Sequence, residues 1–161
     1  MIQVLLDVNL NWSLFFNFVN DQDNLDEWKS AVRPNTKLFF GESIANPRIN
    51  ILDIEGVAAI AHDAGVPLII DNTVATPYLI RPLELGAAIV VYSATKYLGG
   101  HGTAIAGAIV DGGTFDWAAN PDKFPQYNNP DPSYHGLVYA AALGNIAYII
   151  KARVQLLRDI G

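Results

Sequence analysis

The stretch VPLIIDNT at positions 66–73 decides the fold, together with AAIVVYSATK at positions 87–96. Each stretch is a short run of aliphatic residues that ends directly in polar ones. A run that is apolar on both faces is typical of a strand buried in a parallel sheet. The two stretches therefore predict neighbouring strands whose carboxyl ends carry polar side chains.

The sequence on either side of these strands alternates between further strands and helices. Short apolar runs predict strands at 14–19, 36–40 and 105–110. Helical spacing and capping residues predict helices at 24–32, after Asp23, and at 54–64, between Asp53 and Gly65. A brief helical turn is expected at 84–86, a long surface loop at 120–132 and a helix at 136–158.

This alternation predicts an α/β fold in which helices cover both faces of a mostly parallel sheet. The length of 161 residues suits one domain with one core. Residues 1–13 fit no element well and are expected to be an atypical N-terminal segment of that single domain, 1–161.

The composition limits the kinds of partner. The chain has 10 basic and 16 acidic residues, a formal charge of −6, and no basic cluster, so no nucleic-acid partner is expected. It has no cysteine, which excludes disulfides and Cys-based zinc sites, and no metal site is predicted. No run reaches the roughly 18 apolar residues of a membrane span, and no basic region marks a signal peptide. We therefore expect a cytoplasmic protein without a membrane partner.

Polar residues follow three of the predicted strands, at Glu42–Asn46, Asp71–Thr73 and Tyr92–Lys96. In open α/β sheets, ligands bind beyond the carboxyl ends of the strands, so these side chains are expected to meet in one crevice. Each segment alone has an ordinary explanation, because Asp and Asn favour turns and a lone lysine is usually a solvated surface residue. The combination is more specific than any of its parts.

Three motifs in the same regions resemble the Cys/Met-metabolism family of pyridoxal-phosphate enzymes. The segment VVYSATKYLGGHG at 90–102 resembles the family's cofactor-lysine segment. DNT at 71–73, with TPY at 76–78, resembles its aspartate motif and precedes Lys96 by 96 − 71 = 25 residues. Asn46, in a Glu-x-x-x-Asn-Pro motif, precedes Asp71 by 71 − 46 = 25 residues. The resemblance extends from about residue 19 to 158 and implies the large domain of a fold-type I enzyme.

The resemblance implies a role for five residues. Lys96 would carry pyridoxal phosphate and move protons during catalysis, as a buried amine can. Asp71, as a buried carboxylate, would keep the ring nitrogen protonated. Asn46 would donate to the ring's phenolic oxygen, and Ser93 and Thr95 to the phosphate.

Two further residues, Glu42 and His101, have no assigned role. Each is as compatible with supporting the site from behind, or with an ordinary place in a loop, as with taking part directly.

Within the family, the chain resembles the sulfhydrylase branch most. The matching segments are GHGTAI at 100–105, DGG at 111–113, FDW at 115–117 and PSYHG at 132–136. This implies γ-replacement on O-acetyl-L-homoserine with sulfide, giving L-homocysteine for methionine synthesis, in a homo-oligomer. Cystathionine γ-synthase and methionine γ-lyase activities are lesser alternatives.

The chain is shorter than the family's members, which implies a truncated domain. The family's phosphate loop and ring-stacking tyrosine would lie upstream of residue 1, and its carboxylate-binding arginine downstream of Gly161. A chain that only folds and associates, without catalysis, is therefore the main alternative function.

Two short patterns compete with this interpretation. Tyr92-x-x-x-Lys96 also occurs in short-chain dehydrogenases, but the glycine-rich turn that seats a dinucleotide is missing from the sequence. Ser93-x-x-Lys96 also occurs in serine β-lactamases, but their Lys-Thr-Gly and Ser-Asp-Asn motifs are missing. Both similarities are coincidences of short motifs.

Overall fold

The structure, a computed structural model, describes residues 4–8 and 14–157. The chain divides into two compact units, Met1–Gly112 and Gly113–Gly161, which are described in turn as unit 1 and unit 2. The single domain predicted over residues 1–161, with 1–13 as an atypical segment, stays a prediction. No helix in the described part of the chain is long and apolar enough to cross a bilayer.

Unit 1 is built on a six-stranded sheet in the order β2-β1-β3-β4-β5-β6. The central strands β3, β4 and β5 pair in parallel, whereas β1 is antiparallel to β2 and β3, and β6 is antiparallel to β5. Four of the six strands therefore run in one direction. The strands are β1 Val4–Val8, β2 Leu14–Phe18, β3 Thr36–Glu42, β4 Leu68–Asp71, β5 Ile89–Tyr92 and β6 Ala108–Asp111. The predicted α/β fold class is confirmed, and β1 is a strand that the sequence did not predict.

The described residues of unit 1 form three α-helices, α1 Leu25–Ala31, α2 Ile54–Asp63 and α3 Thr76–Leu79, and a 3₁₀ turn at Pro82–Leu85. Asp53 caps α2 as predicted, because its carboxylate accepts the Gly56 N–H.

The predicted cap of α1 is wrong by one residue. Asn24 caps this helix by accepting the Asp26 N–H over 3.0 Å. Asp23 instead accepts from the Asn50 side chain over 3.1 Å. Asp and Asn cap helices equally well, so residue type alone could not separate these neighbours.

The core of unit 1 lies between the sheet and the helices. Trp28 of α1 is fully buried and stacks on Phe39 of β3, with ring centroids 5.5 Å apart. A side chain at Gly41 would meet Leu52 Cδ2 at 2.9 Å, so glycine lets the neighbouring segment pack directly on β3. Helical cover of both faces of the sheet stays a prediction.

Strand β6 begins at Ala108, three residues later than predicted. The backbone of Ala106 is already paired with Thr95: it donates to Thr95 Oγ1 over 2.9 Å and accepts from Thr95 N over 3.2 Å. Ile105 is 96% exposed, so its apolar side chain, which suggested a buried strand, lies at the surface.

Unit 2 consists of short helical segments packed around aromatic rings. Its α-helices are α4 Pro125–Asn128, α5 Tyr139–Leu143 and α6 Ala147–Ala152. The single helix predicted over 136–158 is wrong, because Gly144 (φ 53°, ψ −127°) interrupts it and a 3₁₀ turn follows.

The prediction of a surface loop at 120–132 is also partly wrong. Phe124 and Tyr127 are buried, with ring centroids 5.3 and 4.4 Å from that of Trp117. The Pro and Asn residues that suggested a loop therefore flank side chains that contribute to the core of unit 2.

Candidate functional site

A cavity of about 610 Å³ opens at the carboxyl ends of β3, β4 and β5. Parallel strands bring their carboxyl ends to one edge of a sheet, which is why residues far apart in sequence meet there. Lys96, Asp71, Asn46 and Ser93, all predicted from the sequence, line this cavity. The other lining residues are Glu42, Ile44, Ala45, Pro47, Ile49, Thr73, Val74 and Tyr97.

Asp71 is the last residue of β4 and lies directly between Glu42 of β3 and Val91 of β5 in the sheet register. Its Oδ1 accepts the Thr73 N–H over 2.9 Å, which turns the chain away from the strand. The carboxylate is half-buried. The sheet therefore fixes the Asp71 backbone, and the turn fixes its side chain.

The loop that carries Lys96 is a compact turn. The Lys96 N–H donates to the Ser93 carbonyl over 3.0 Å, and the Lys96 carbonyl accepts the Gly100 N–H over 2.8 Å. A side chain at Gly99 would come within 2.8 Å of the Ala94 carbonyl oxygen, so the turn requires glycine there. The expectation of a buried Lys96 is wrong in this structure, since every residue from 96 to 107 is exposed.

Asn46 lies in the loop after β3, and its backbone N–H donates to Glu42 Oε2 over 2.9 Å. Glu42 thus has a defined contact that holds this loop. Ile49, in the same loop, has a φ of 61°, a conformation that β-branched residues rarely adopt. Strain of this kind clusters at functional sites, and Ile49 lines the cavity.

Thr95 and His101, by contrast, do not line the cavity. The Thr95 hydroxyl donates to the Ala106 carbonyl over 3.1 Å and accepts the Ala106 N–H, so it closes the base of the lysine loop. His101 is exposed, with Nδ1 2.7 Å from Thr103 Oγ1.

Residues 3–146 match the family model described as Cys/Met metabolism PLP-dependent enzyme. The chain belongs to this family. It is 53% identical over 148 residues to the O-acetyl-L-homoserine sulfhydrylase of Corynebacterium glutamicum, covering 90% of this chain and 34% of that protein. It is 50% identical over 145 residues to the homocysteine synthase of Schizosaccharomyces pombe, covering 89% of this chain and 34% of that protein.

A solved structure of this family is also similar. It is the crystal structure of a Campylobacter jejuni protein that is assigned as an O-acetylhomoserine (thiol)-lyase and contains N'-pyridoxyl-lysine-5'-monophosphate. The TM-score is 0.77 at 39% identity, over 88% of this chain and 34% of that chain. The chain therefore spans about a third of the length of these relatives.

The cavity fits the cofactor of this PLP-dependent family in size and in chemistry. Ligand pockets typically measure about 300–1,000 Å³, and this one lies within that range. Its lining offers an amine on Lys96, a carboxylate on Asp71, an amide on Asn46 and a hydroxyl on Ser93. An amine can bond to the cofactor's aldehyde and a carboxylate to its protonated pyridine nitrogen. An amide can donate to its phenolic oxygen, and a hydroxyl can donate to its phosphate.

Sequence reasoning included Asn72 in a motif but gave it no role, although it lies between two residues that line the cavity, Asp71 and Thr73. The Asn72 side chain is fully buried. Asn72 Oδ1 accepts from Ser43 Oγ over 2.7 Å, and Asn72 Nδ2 donates to the Ile80 carbonyl over 2.8 Å. The sequence does contain a signal, because an amide that directly follows a buried strand needs hydrogen-bonding partners. A turn after the strand accounts for an asparagine at this position as well, so the sequence did not single out Asn72.

Proposed function

We propose that this chain forms the cofactor-binding part of an enzyme that replaces the acetate of O-acetyl-L-homoserine with sulfide, giving L-homocysteine. The supporting observation is that Lys96, Asp71, Asn46 and Ser93 line one cavity at the carboxyl ends of parallel strands. The relatives named O-acetyl-L-homoserine sulfhydrylase and homocysteine synthase support the choice of reaction.

Four of the residues that line the cavity have a role in this proposal. Lys96 would hold the cofactor through its amine, and the same amine, once the substrate's amine has displaced it, would move the proton at the substrate's α-carbon. Asp71 holds a proton on the pyridine nitrogen, and Asn46 donates to the phenolic oxygen. Pyridoxal phosphate, when bound, supplies the electron sink for the carbanion.

The phosphate is held by hydroxyl and backbone donors in this proposal. Ser93 lies at the cavity and is the better-placed donor of the two predicted residues. Thr95 stays a predicted cofactor-binding residue, although its hydroxyl is engaged with Ala106.

The proposal places the protein in the cytoplasm as a homo-oligomer that acts on a small amino-acid substrate, without nucleic-acid or membrane partners. Cystathionine γ-synthase and methionine γ-lyase activities are the lesser alternatives, because members of one family differ at few positions of the substrate pocket.

A second candidate function is association without catalysis. Both edge strands expose large apolar side chains, which disfavours an isolated sheet in water. These side chains are Phe16 (53% exposed), Phe18 (57%), Ile109 (50%) and Val110 (41%). Light scattering of the purified chain tests this candidate, and a monomer at all accessible concentrations would contradict it.

A chimaeric enzyme tests the proposed reaction directly. This chain would replace the matching third of the C. glutamicum relative, and homocysteine formation from sulfide would be compared for O-acetyl-, O-succinyl- and O-phosphohomoserine. We expect the O-acetyl ester to be used best, with activity lost in the Lys96→Ala chimaera. A folded, cofactor-loaded chimaera that prefers another ester, or makes no homocysteine, would overturn the proposal.

A further inference from the structure

We infer that Asn72 is a positioning residue that sets the separation between the Asp71 carboxylate and the Lys96 amine. The inference rests on the proposed function, in which these two groups act on one cofactor. Asn72 does not line the cavity. It acts through the segments that carry the two groups.

The side chain of Asn72 connects three strand ends. Its Oδ1 accepts from Ser43, which directly follows β3, over 2.7 Å. Its Nδ2 lies 3.4 Å from the hydroxyl of Tyr92, the last residue of β5. Asn72 itself directly follows β4, so its amide links the end of β4 to side chains at the ends of β3 and β5.

The same side chain also holds the short helix α3. Nδ2 donates to the Ile80 carbonyl over 2.8 Å, just past the end of α3. The Asn72 carbonyl accepts the Thr76 N–H over 2.9 Å. Thr76 has a φ of 60°, so this contact fixes a strained start of the helix.

The residues on either side of Asn72 link it to the segments that carry the Asp71 carboxylate and the Lys96 amine. Asp71 precedes it, and Thr73 follows it. The Thr73 hydroxyl accepts the Ser93 N–H over 2.7 Å, at the start of the turn that carries Lys96. A displacement of Asn72 therefore affects both the Asp71 turn and the Lys96 loop.

The chemistry of the site favours an amide over any other side chain of this size. An amide offers an acceptor and two donors, and Asn72 uses one acceptor and both donor directions. An aspartate has nearly the same shape and keeps the acceptor, but it cannot donate to Ile80 or Tyr92. The Asn72→Asp variant therefore removes the donor half of the network and leaves the volume unchanged.

Asn128→Asp is the matched control. Asn128 Nδ2 donates to two backbone carbonyls, those of Trp117 and Phe124, over 2.8 and 2.9 Å. These contacts lie within unit 2. Both variants lose amide donors from a polar network, so both are expected to unfold at a lower temperature. Only a positioning role of Asn72 also predicts a change at Thr73 and Ser93.

The first measurement needs no cofactor. Amide hydrogen exchange of Thr73 and Ser93 is followed by NMR in the 161-residue chain. We expect exchange about tenfold faster in Asn72→Asp than in wild type, since local opening follows the loss of local contacts. Asn128→Asp is expected to leave these two amides unchanged. Equal exchange at Thr73 and Ser93 in all three proteins would overturn the inference.

The second measurement uses pyridoxal phosphate itself. Borohydride trapping at Lys96 is measured against cofactor concentration, and half-saturation is expected about tenfold higher in Asn72→Asp, with Asn128→Asp like wild type. If wild type takes up no cofactor at Lys96 but the exchange difference is present, the proposed function fails and the positioning role stands. If Asn72→Asp does not fold, Ser43→Ala removes one contact of the network. Unchanged exchange at Thr73 and Ser93 in that variant would then reject the inference.

Discussion

The Ser93 N–H donates to the Thr73 hydroxyl over 2.7 Å, and this bond joins the loop before Lys96 to the turn after Asp71. Strands β4 and β5 are neighbours in parallel register, so the bond extends their pairing beyond the last strand residues. The relative position of the two candidate cofactor ligands therefore depends on the pairing of β4 with β5.

We predict that pyridoxal phosphate attaches to Lys96. Lys96 is exposed and lines the cavity, whereas Lys151 is buried, with Nζ 3.3 Å from Asp131 Oδ2. The chain would be incubated with the cofactor, reduced with borohydride, digested and analysed by mass spectrometry, with Lys96→Ala as the control. A label on Lys37 or Lys151 in place of Lys96 would contradict the assignment.

We predict that Asp71→Asn impairs catalysis far more than folding. The amide oxygen can still accept the Thr73 N–H, so the turn is kept. The neutral amide cannot hold a proton on the ring nitrogen, and loss of one well-placed electrostatic contact typically costs about 10²–10³ in rate. The variant would be assayed in the chimaera, with thermal unfolding measured in parallel. Near-normal turnover would refute the electrostatic role.

We predict that this chain alone makes homocysteine at a negligible rate. None of the described residues that line the cavity is an arginine, so the substrate's carboxylate has no guanidinium partner there. Each well-placed charged contact is typically worth ~2–4 kcal/mol in the transition state. The measurement is a sulfide-dependent homocysteine assay on the purified chain, with Lys96→Ala as the blank. Robust activity that depends on Lys96 would mean that the site is complete.

Unit 2 contains a polar network around Asp131. Its carboxylate accepts from the Ser133 hydroxyl over 2.6 Å, from Gln155 Nε2 over 3.1 Å and from Lys151 Nζ over 3.3 Å. Lys151 Nζ also lies 4.2 Å from the ring centroid of Tyr139. Burial and the nearby Asp131 charge raise the pKa of the Tyr139 hydroxyl. Asp131 thus joins the 3₁₀ turn Pro132–Tyr134 to the helical segment that carries Lys151.

This network predicts an acid-sensitive contribution to stability. The hydrogen bond from the Ser133 hydroxyl, with smaller contributions from its N–H and Lys151, lowers the pKa of Asp131 from 3.8 to about 2. Because the folded pKa lies below the unfolded one, the stabilisation is fully present above about pH 4 and is lost as the pH falls towards 2. The free energy of unfolding would be measured for wild type and Asp131→Asn across this range. We expect their difference to shrink as the pH falls, and a constant difference would contradict the assignment.

The strand ends were predictable because they depend on local pattern. Runs such as Leu68–Asp71 end where aliphatic residues give way to polar ones, and parallel pairing then brings those ends together. Lys96, Asp71, Asn46 and Ser93 were placed in one crevice on this basis, and they line one cavity.

The remaining features depend on tertiary contacts that no short segment encodes. Phe124 and Tyr127 appeared to belong to a loop, because only their packing against Trp117 buries them. Thr95 appeared free to bind phosphate, because its partner Ala106 lies eleven residues further along the chain. Asn72 appeared to be a turn residue, because its partners come from three separate segments.

The strand order has a consequence for how unit 1 is assembled. From β4 onwards each strand pairs with the strand that precedes it in sequence, whereas β3 pairs with β1 instead of β2. We therefore expect the sheet to grow stepwise from the β1–β2 hairpin. Pulse-labelled hydrogen exchange during refolding should show that β6 is protected last. Early protection of β6 would argue against this order. Since each strand from β3 onwards pairs with a strand that has already been synthesised, such a sheet can grow while the polypeptide is still emerging from the ribosome. Strand β3 would then be complete before β4, which carries Asp71, is synthesised. Strand β4 would likewise be complete before β5 and the Lys96 loop are synthesised.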